Sequence, residues 1–246
     1  MSEIIYGIHP IQALLERKPH RLLEVFIVKG FGGRRLLPLV SAMRTTGLSI
    51  QMVSNQWLNA KVKGAMHQGV IARVSKEEKV KETDLLNLLP SIDTPFLLVL
   101  DGVTDPHNLG ACLRSADAAG VHAVIVPRDR SAHLNATAKK VACGAAENVP
   151  LIHVSNLART LRLLKEMNVW VIGAAAESAH TLYKSKMTGL IALVIGSEGK
   201  GMRRLTRECC DELISIPMVG SVSSLNVSVA TGICLFEAVR QRRLLY

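Results

Sequence analysis

From residue 84 onward, short apolar runs alternate with stretches of helical periodicity, and this alternation limits the possible folds more than any other feature of the chain. The runs fall at 96–100, 122–126, 151–154, 169–172, 191–195 and 213–216. Helical spacing occupies 109–119, 135–143, 157–167, 202–209 and 225–240. Strands that are short, mainly apolar and separated by helices predict a parallel sheet covered on both faces. The loops leaving the carboxyl ends of such strands converge, so chemistry is expected there.

Three of those loops are unusually polar. Residues 101–120 read DGVTDPHNLGACLRSADAAG, a polar loop after the first apolar run followed by a helix with Leu109, Cys112, Leu113 and Ala116 on its apolar surface. Arg114 stands in the middle of that helix, where a guanidinium behind a polar loop calls for an anionic partner; a surface salt bridge is the alternative. Gly120 can stop the helix. The second loop, GSEGKG at 196–201, has three glycines that allow close backbone approach to a ligand. The third, MVGSVSSLN at 218–226, leads into the last helix. Each has a simpler reading. Asn108 could cap the helix that follows it, and Ser223 or Ser224 the last one. Glu198 could be a solvated carboxylate. His107 has no nucleophile or metal-ligand spacing beside it and reads as a loop residue.

The first third of the chain differs in charge. The 246 residues carry a formal charge of +10, and residues 1–80 hold 12 Lys+Arg against 5 Asp+Glu. Nucleic-acid phosphate is the partner such a bias suits, with a merely solubilising surface as the alternative. Residues 4–75 read as a small α/β unit: a helix around Ile11, Leu14 and Leu15, strands at 22–28, 49–53 and 69–74, and helices at 36–43 and 56–62. Arg34, Arg35, Arg44, Lys61, Lys63 and Arg73 are expected mainly in loops or on helix flanks. SKEEKVKET, charged and poor in apolar residues, marks a linker over 76–83. The expected division is 1–75, linker 76–83, and 84–246.

Several classes are disfavoured. There is no G-x-G-x-x-G after the first strand of the second half and no G-x-x-x-x-G-K-[ST], so a dinucleotide or P-loop enzyme is not expected. The five cysteines form no C-x-x-C pair, so neither a zinc site nor a disulfide framework is expected. Nine aromatics, 4% of the chain, are too few for a base-stacking platform. No apolar run approaches ~18 residues, so no membrane span is expected. The N-terminus lacks a signal-peptide pattern, so a cytoplasmic location is expected.

DGVTDPHNLGACLRSADAAG, IGSEGKGM and IPMVGSVSSLNVSVATGICLFE resemble, in order, the three motifs of the SPOUT-class (TrmH-like) RNA ribose methyltransferases. Residues 1–75 resemble the ribosomal-protein-L30-like RNA-binding domain that precedes the catalytic domain in one branch. The resemblance implies an α/β fold in two parts: a small L30-like domain and a SPOUT domain with a parallel sheet and a C-terminal trefoil knot. It implies S-adenosyl-L-methionine (AdoMet) as methyl donor without a metal, held near Gly196, Ile216, Met218, Ser224 and Leu225. It implies Asn108, Arg114, Glu198, Ser224 and Asn226 as the reacting-centre set. The implied reaction is 2′-O-methylation of a guanosine in 23S rRNA, naked or in a ribosome-assembly particle, by a homodimer with its site at the subunit interface. A tRNA ribose methyltransferase of the same class and a non-catalytic rRNA-binding assembly factor are the alternatives.

Overall fold

A computed structural model describes residues 2–30, 36–75, 83, 85, 87 and 89–243. The linker expected over 76–83 lies, Thr83 apart, outside the described residues, as do Arg34 and Arg35.

The first part of the chain forms β1 (Ser2–Tyr6), α1 (Ile8–Arg17), β2 (Leu22–Val28), α2 (Leu37–Arg44), β3 (Ile50–Val53), α3 (Asn55–Lys61) and β4 (Val70–Ser75). These build a mixed four-stranded sheet in the order β1-β4-β2-β3. Strand β1 was not foreseen; it pairs antiparallel with β4, Tyr6 opposite Ile71. Ile11, Leu14 and Leu15 of α1 pack with Val25, Ile27, Leu39 and Met43 in one core. Arg73, inside the strand expected at 69–74, lies on β4 and pairs with Glu24 of β2 at 3.0 Å, because the β2–β4 register sets the two side by side. Ser54 caps α3 by accepting from the Trp57 N–H.

The second part alternates β5 (Phe96–Asp101), α4 (Pro106–Ala118), β6 (Ala123–Pro127), α5 (Ala136–Val141), α6 (Ala145–Asn148), β7 (Leu151–Val154), α7 (Leu157–Glu166), β8 (Trp170–Ala174), β9 (Ile191–Gly196), α8 (Arg204–Glu208), β10 (Glu212–Ile214) and α9 (Val227–Arg243). All six expected strands form. They make one six-stranded sheet in the order β10-β8-β9-β5-β6-β7, and every neighbouring pair is parallel. Period-two alternation divides β5 between two cores: Leu98 and Leu100 face the side of α4 and α9, Leu97 and Val99 the side of α7. All of β5 is buried, as a central parallel strand requires.

The α4 helix begins at Asp105, whose carboxylate accepts the His107 N–H at 2.9 Å, with Pro106 in the first turn. It ends at Gly120, in the left-handed region with φ 73°. The last helix begins two residues later than its apolar pattern suggests, because Asn226 accepts the Ser228 N–H at 2.9 Å and sets the first turn.

The two sheets are joined by a buried charge cluster. Arg21 donates to Glu147 at 2.7 Å and to Glu3 at 3.2 Å, and Lys139 meets Glu3 at 2.7 Å and Glu147 at 3.7 Å. Arg21 also donates to the Ser75 carbonyl at 2.9 Å. Beside it, Gly144 has φ 96°, and a Cβ there would lie 2.7 Å from the Ala13 side chain, so only glycine lets α1 approach this turn.

Candidate active site

The register of the large sheet sets the site. Asp101 at the end of β5 lies opposite Gly196 at the end of β9, so the first two polar loops leave the sheet side by side. Gly196 is required by crowding: a Cβ there would come within 2.1 Å of the Gly201 carbonyl carbon and 2.2 Å of the Met202 nitrogen. The loop 197–201 thus folds back on its own origin, with Ser197 and Gly201 exchanging backbone hydrogen bonds of 3.0 and 2.9 Å. Gly199 and Gly201 have φ 75° and 65°, and nothing lies within 4 Å of a Cβ at either, so the backbone angle rather than crowding favours glycine there. Asp101 ties the loop down by accepting the Arg203 N–H at 2.8 Å, with the Arg203 Nε 3.5 Å away.

The third loop returns to the first two. The Asn108 amide donates to Glu198 Oε1 at 2.5 Å, and the Asn226 amide donates to the same oxygen and to Asn108 Oδ1, both at 3.1 Å. The Ser228 hydroxyl holds Asn226 in place by donating to its Oδ1 at 2.6 Å. Asn108 is therefore not the helix cap, since Asp105 has that role, and Glu198 is not merely solvated. Neither Ser223 nor Ser224 caps the last helix. Three residues that lie 90, 118 and 28 positions apart in pairs share one hydrogen-bonded corner.

Next to this corner is a cavity of about 400 Å³ over the carboxyl ends of β8, β9 and β10. Gly196, Glu198, Ile216, Met218, Ser224 and Leu225 line it, so the sequence-predicted cofactor positions converge on one space. The second and third loops line this cavity, and a third wall was missed. Residues 174–177, at the end of β8 and just beyond it, close one side, with Arg207 paired to Glu177. Their Ala-Ala-Ala-Glu run has little polarity, though its place after a parallel strand was a usable signal.

Arg114 lies elsewhere. It is exposed on α4, donates to the Cys143 sulfur at 3.4 Å, and does not line this cavity. Three buried or partly buried thiols, Cys112, Cys210 and Cys234, are held protonated at neutral pH. Burial pushes Cys112 up to about 11, opposed by its Thr231 hydrogen bond and reinforced by Glu198, and burial pushes Cys210 and Cys234 up to about 12.

Residues 95–236, which carry all three loops, match the SpoU rRNA Methylase family. The chain belongs to that family. Residues 4–80 match a second family, RNA 2′-O ribose methyltransferase substrate binding. The 23S rRNA (guanosine-2′-O-)-methyltransferase RlmB of Escherichia coli (strain K12) is 71% identical over 242 residues, spanning 98% of this chain and 100% of its own length. RlmB of Yersinia pestis is 72% identical over 244 residues, spanning 99% of each. Among solved structures, an RNA 2′-O ribose methyltransferase superposes with a TM-score of 0.79 at 25% identity, covering 98% of this chain and 89% of its own. The SpoU methyltransferase AviRb of Streptomyces viridochromogenes, in complex with AdoMet, has the same fold, with a TM-score of 0.82 at 24% identity over 99% of this chain and 91% of its own. Among the described residues no helix is long and apolar enough to cross a membrane.

Proposed function

We infer that this SpoU-family protein transfers a methyl group from AdoMet to the ribose 2′-oxygen of a guanosine in 23S rRNA. The observation that carries this reading is the meeting of three sequence-distant loops, through Asn108, Glu198 and Asn226, at the mouth of one cavity. Relatives about 71% identical over nearly the full chain are 23S rRNA (guanosine-2′-O-)-methyltransferases, which supports rRNA over tRNA as substrate.

The cavity suits the cofactor. Its lining combines apolar side chains such as Ile195, Ile214 and Val227 with glycine backbone, serines and the charged Glu177, Glu198, Lys200 and Arg207, a mix of apolar wall and polar groups that suits an adenosine with a charged tail. Gly196, Ile216, Met218, Ser224 and Leu225 would hold it. When bound, AdoMet supplies an electrophilic methyl group on a sulfonium. The chain's task is then to bring a ribose hydroxyl into line and support the charge that develops on its oxygen. Glu198 fixes both amides, and Asn108 and Asn226 set the polar frame in which the ribose is oriented. Arg114 grips a phosphate through its planar fork and stabilises the developing alkoxide. A guanidinium titrates too high, above ~12, to serve as a base.

In a single chain Arg114 points outside the cavity, so the reading includes a homodimer that brings Arg114 to the site of a second copy. Support comes from α9, packed beside α4 through the Cys112–Thr231 contact, with Val229 and Phe236 half-exposed along it. We assign RNA binding to residues 1–75, linkage to 76–83 and catalysis to 84–246, in the cytoplasm, on 23S rRNA or an assembly particle that contains it. The C-terminal segment is read as a trefoil knot. Three contacts favour it: the Gly196 approach to 201–202, the Asp101–Arg203 tie, and the return of Asn226 to Asn108 and Glu198.

Mapping 2′-O-methyl positions in cells lacking the protein tests the reading. One methylguanosine of 23S rRNA should disappear and tRNA should be unchanged. A loss confined to tRNA would reject the substrate, and no AdoMet binding by calorimetry would reject the enzyme.

A further inference from the structure

A second cavity, of about 530 Å³, lies over the carboxyl ends of β5, β6 and β9. It shares Ser197, Glu198, Lys200, Gly201, Met202 and Val227 with the first, so the loop after β9 forms a wall between the two. Its position has a topological reason. From β5 the chain winds outward through β6 and β7; later strands fill the other side, with β9 directly against β5. The loops after β5 and β9 therefore belong to opposite halves of the winding, and the crevice between them is where open parallel sheets bind ligands.

The lining is cationic. Arg130, Lys200 and Arg203 reach it from two loops, against Asp101 and Glu198. Both carboxylates are committed, Asp101 to Arg203 and Glu198 to the two asparagine amides. Arg130 and Lys200 are exposed and have no ion-pair partner among the described residues. Arg130 also has φ 58°, a left-handed conformation that an arginine adopts at some cost. The balance of three cations against two carboxylates leaves one positive charge, the complement of one phosphodiester.

We propose that this cleft binds a phosphodiester of the RNA strand, next to the nucleotide being methylated, with Arg130 and Lys200 as its cationic grip. This rests on the methyltransferase reading and adds the substrate's second anchor, besides the phosphate assigned to Arg114. Because Glu198 lines both cavities, a strand held in the cleft passes the Asn108–Glu198–Asn226 corner, where the ribose must sit.

The test uses the full-length protein and a transcribed 23S rRNA fragment, with RNA binding measured by anisotropy across a salt series alongside AdoMet calorimetry and methylation kinetics. Arg130→Gly removes the guanidinium and relieves the left-handed backbone, so a merely structural role predicts no loss. The proposal predicts about a tenfold rise in KM for RNA, with kcat within about twofold and AdoMet affinity unchanged. It also predicts a fall of about 0.7–0.9 in the slope of log affinity against log salt. Arg130→Glu should lose more than Arg130→Gly, and Arg130→Lys should recover most of the affinity and the slope. An unchanged slope and KM in Arg130→Gly, or a fall in kcat without a change in KM, would overturn the proposal. The salt slope is read from binding alone, so it judges the cleft even if no methyl transfer to rRNA is found, a result that would instead sink the catalytic reading.

Discussion

The cluster of Glu3, Arg21, Lys139 and Glu147 and the corner of Asn108, Glu198 and Asn226 both join residues distant in the chain, yet they differ in almost every physical respect. In the first, Arg21, Lys139 and Glu147 are 4%, 4% and 6% exposed, and two cations face two carboxylates. In the second, Glu198 and Asn226 are exposed and one carboxylate meets two neutral amides. Removing water from the three buried charges is costly, and only mutual compensation makes it tolerable, so losing one member leaves a buried charge without its partner. The corner has little such cost. Its groups keep access to solvent, and so to a ligand. The difference separates a joint that holds two sheets together from a frame that meets substrate.

Substitutions can break that distinction. The largest effect is expected at Arg114, which belongs to neither group. Arg114→Ala should lower methylation on the order of a thousandfold, and Arg114→Lys should fail as well for want of the planar fork. AdoMet affinity by calorimetry should stay nearly intact, and full turnover by Arg114→Ala would remove its claim on the reaction. Next comes Glu147→Ala, expected to cost about 3–5 kcal/mol in denaturant unfolding because Arg21 and Lys139 remain buried. An unchanged midpoint would mean the joint is dispensable. Glu198→Ala should leave the melting temperature within about 2 °C and slow methylation about a hundredfold, since small misplacement of reacting groups costs that much. A large loss of stability in this variant would collapse the contrast. Ser228→Ala should be mildest, a few-fold in kcat, because Asn226 retains its bonds to Asn108 and Glu198.

Much of the fold was readable from local pattern. All six strands of the parallel sheet announced themselves as predominantly apolar runs, because both of its faces are covered. Strand β1 did not, because its opening Ser2, Glu3 and Ile4 are polar or only partly buried, and its pairing depends on β4, with Ser2 opposite Ser75. The α6 helix is a single turn, too short for a period to show. At the site, the residue types and their order pointed to the three loops, but each residue also admitted a bland reading. For Asn108 and the last-helix serines, only the caps actually found at Asp105 and Asn226 decide between the readings.

The sequence alone therefore determined the alternation of strand and helix, the uneven charge and the three polar loops, since each is a property of neighbouring residues. The tertiary structure decided which of those residues meet. Glu147 finds Arg21 across 126 positions, and Glu198 finds Asn108 across 90. It also decided that Arg114 lies away from the cavity of its own chain. Hydrogen bonds and ion pairs act over a few ångströms of space, and that distance is set by how the sheets and helices pack, not by spacing along the chain.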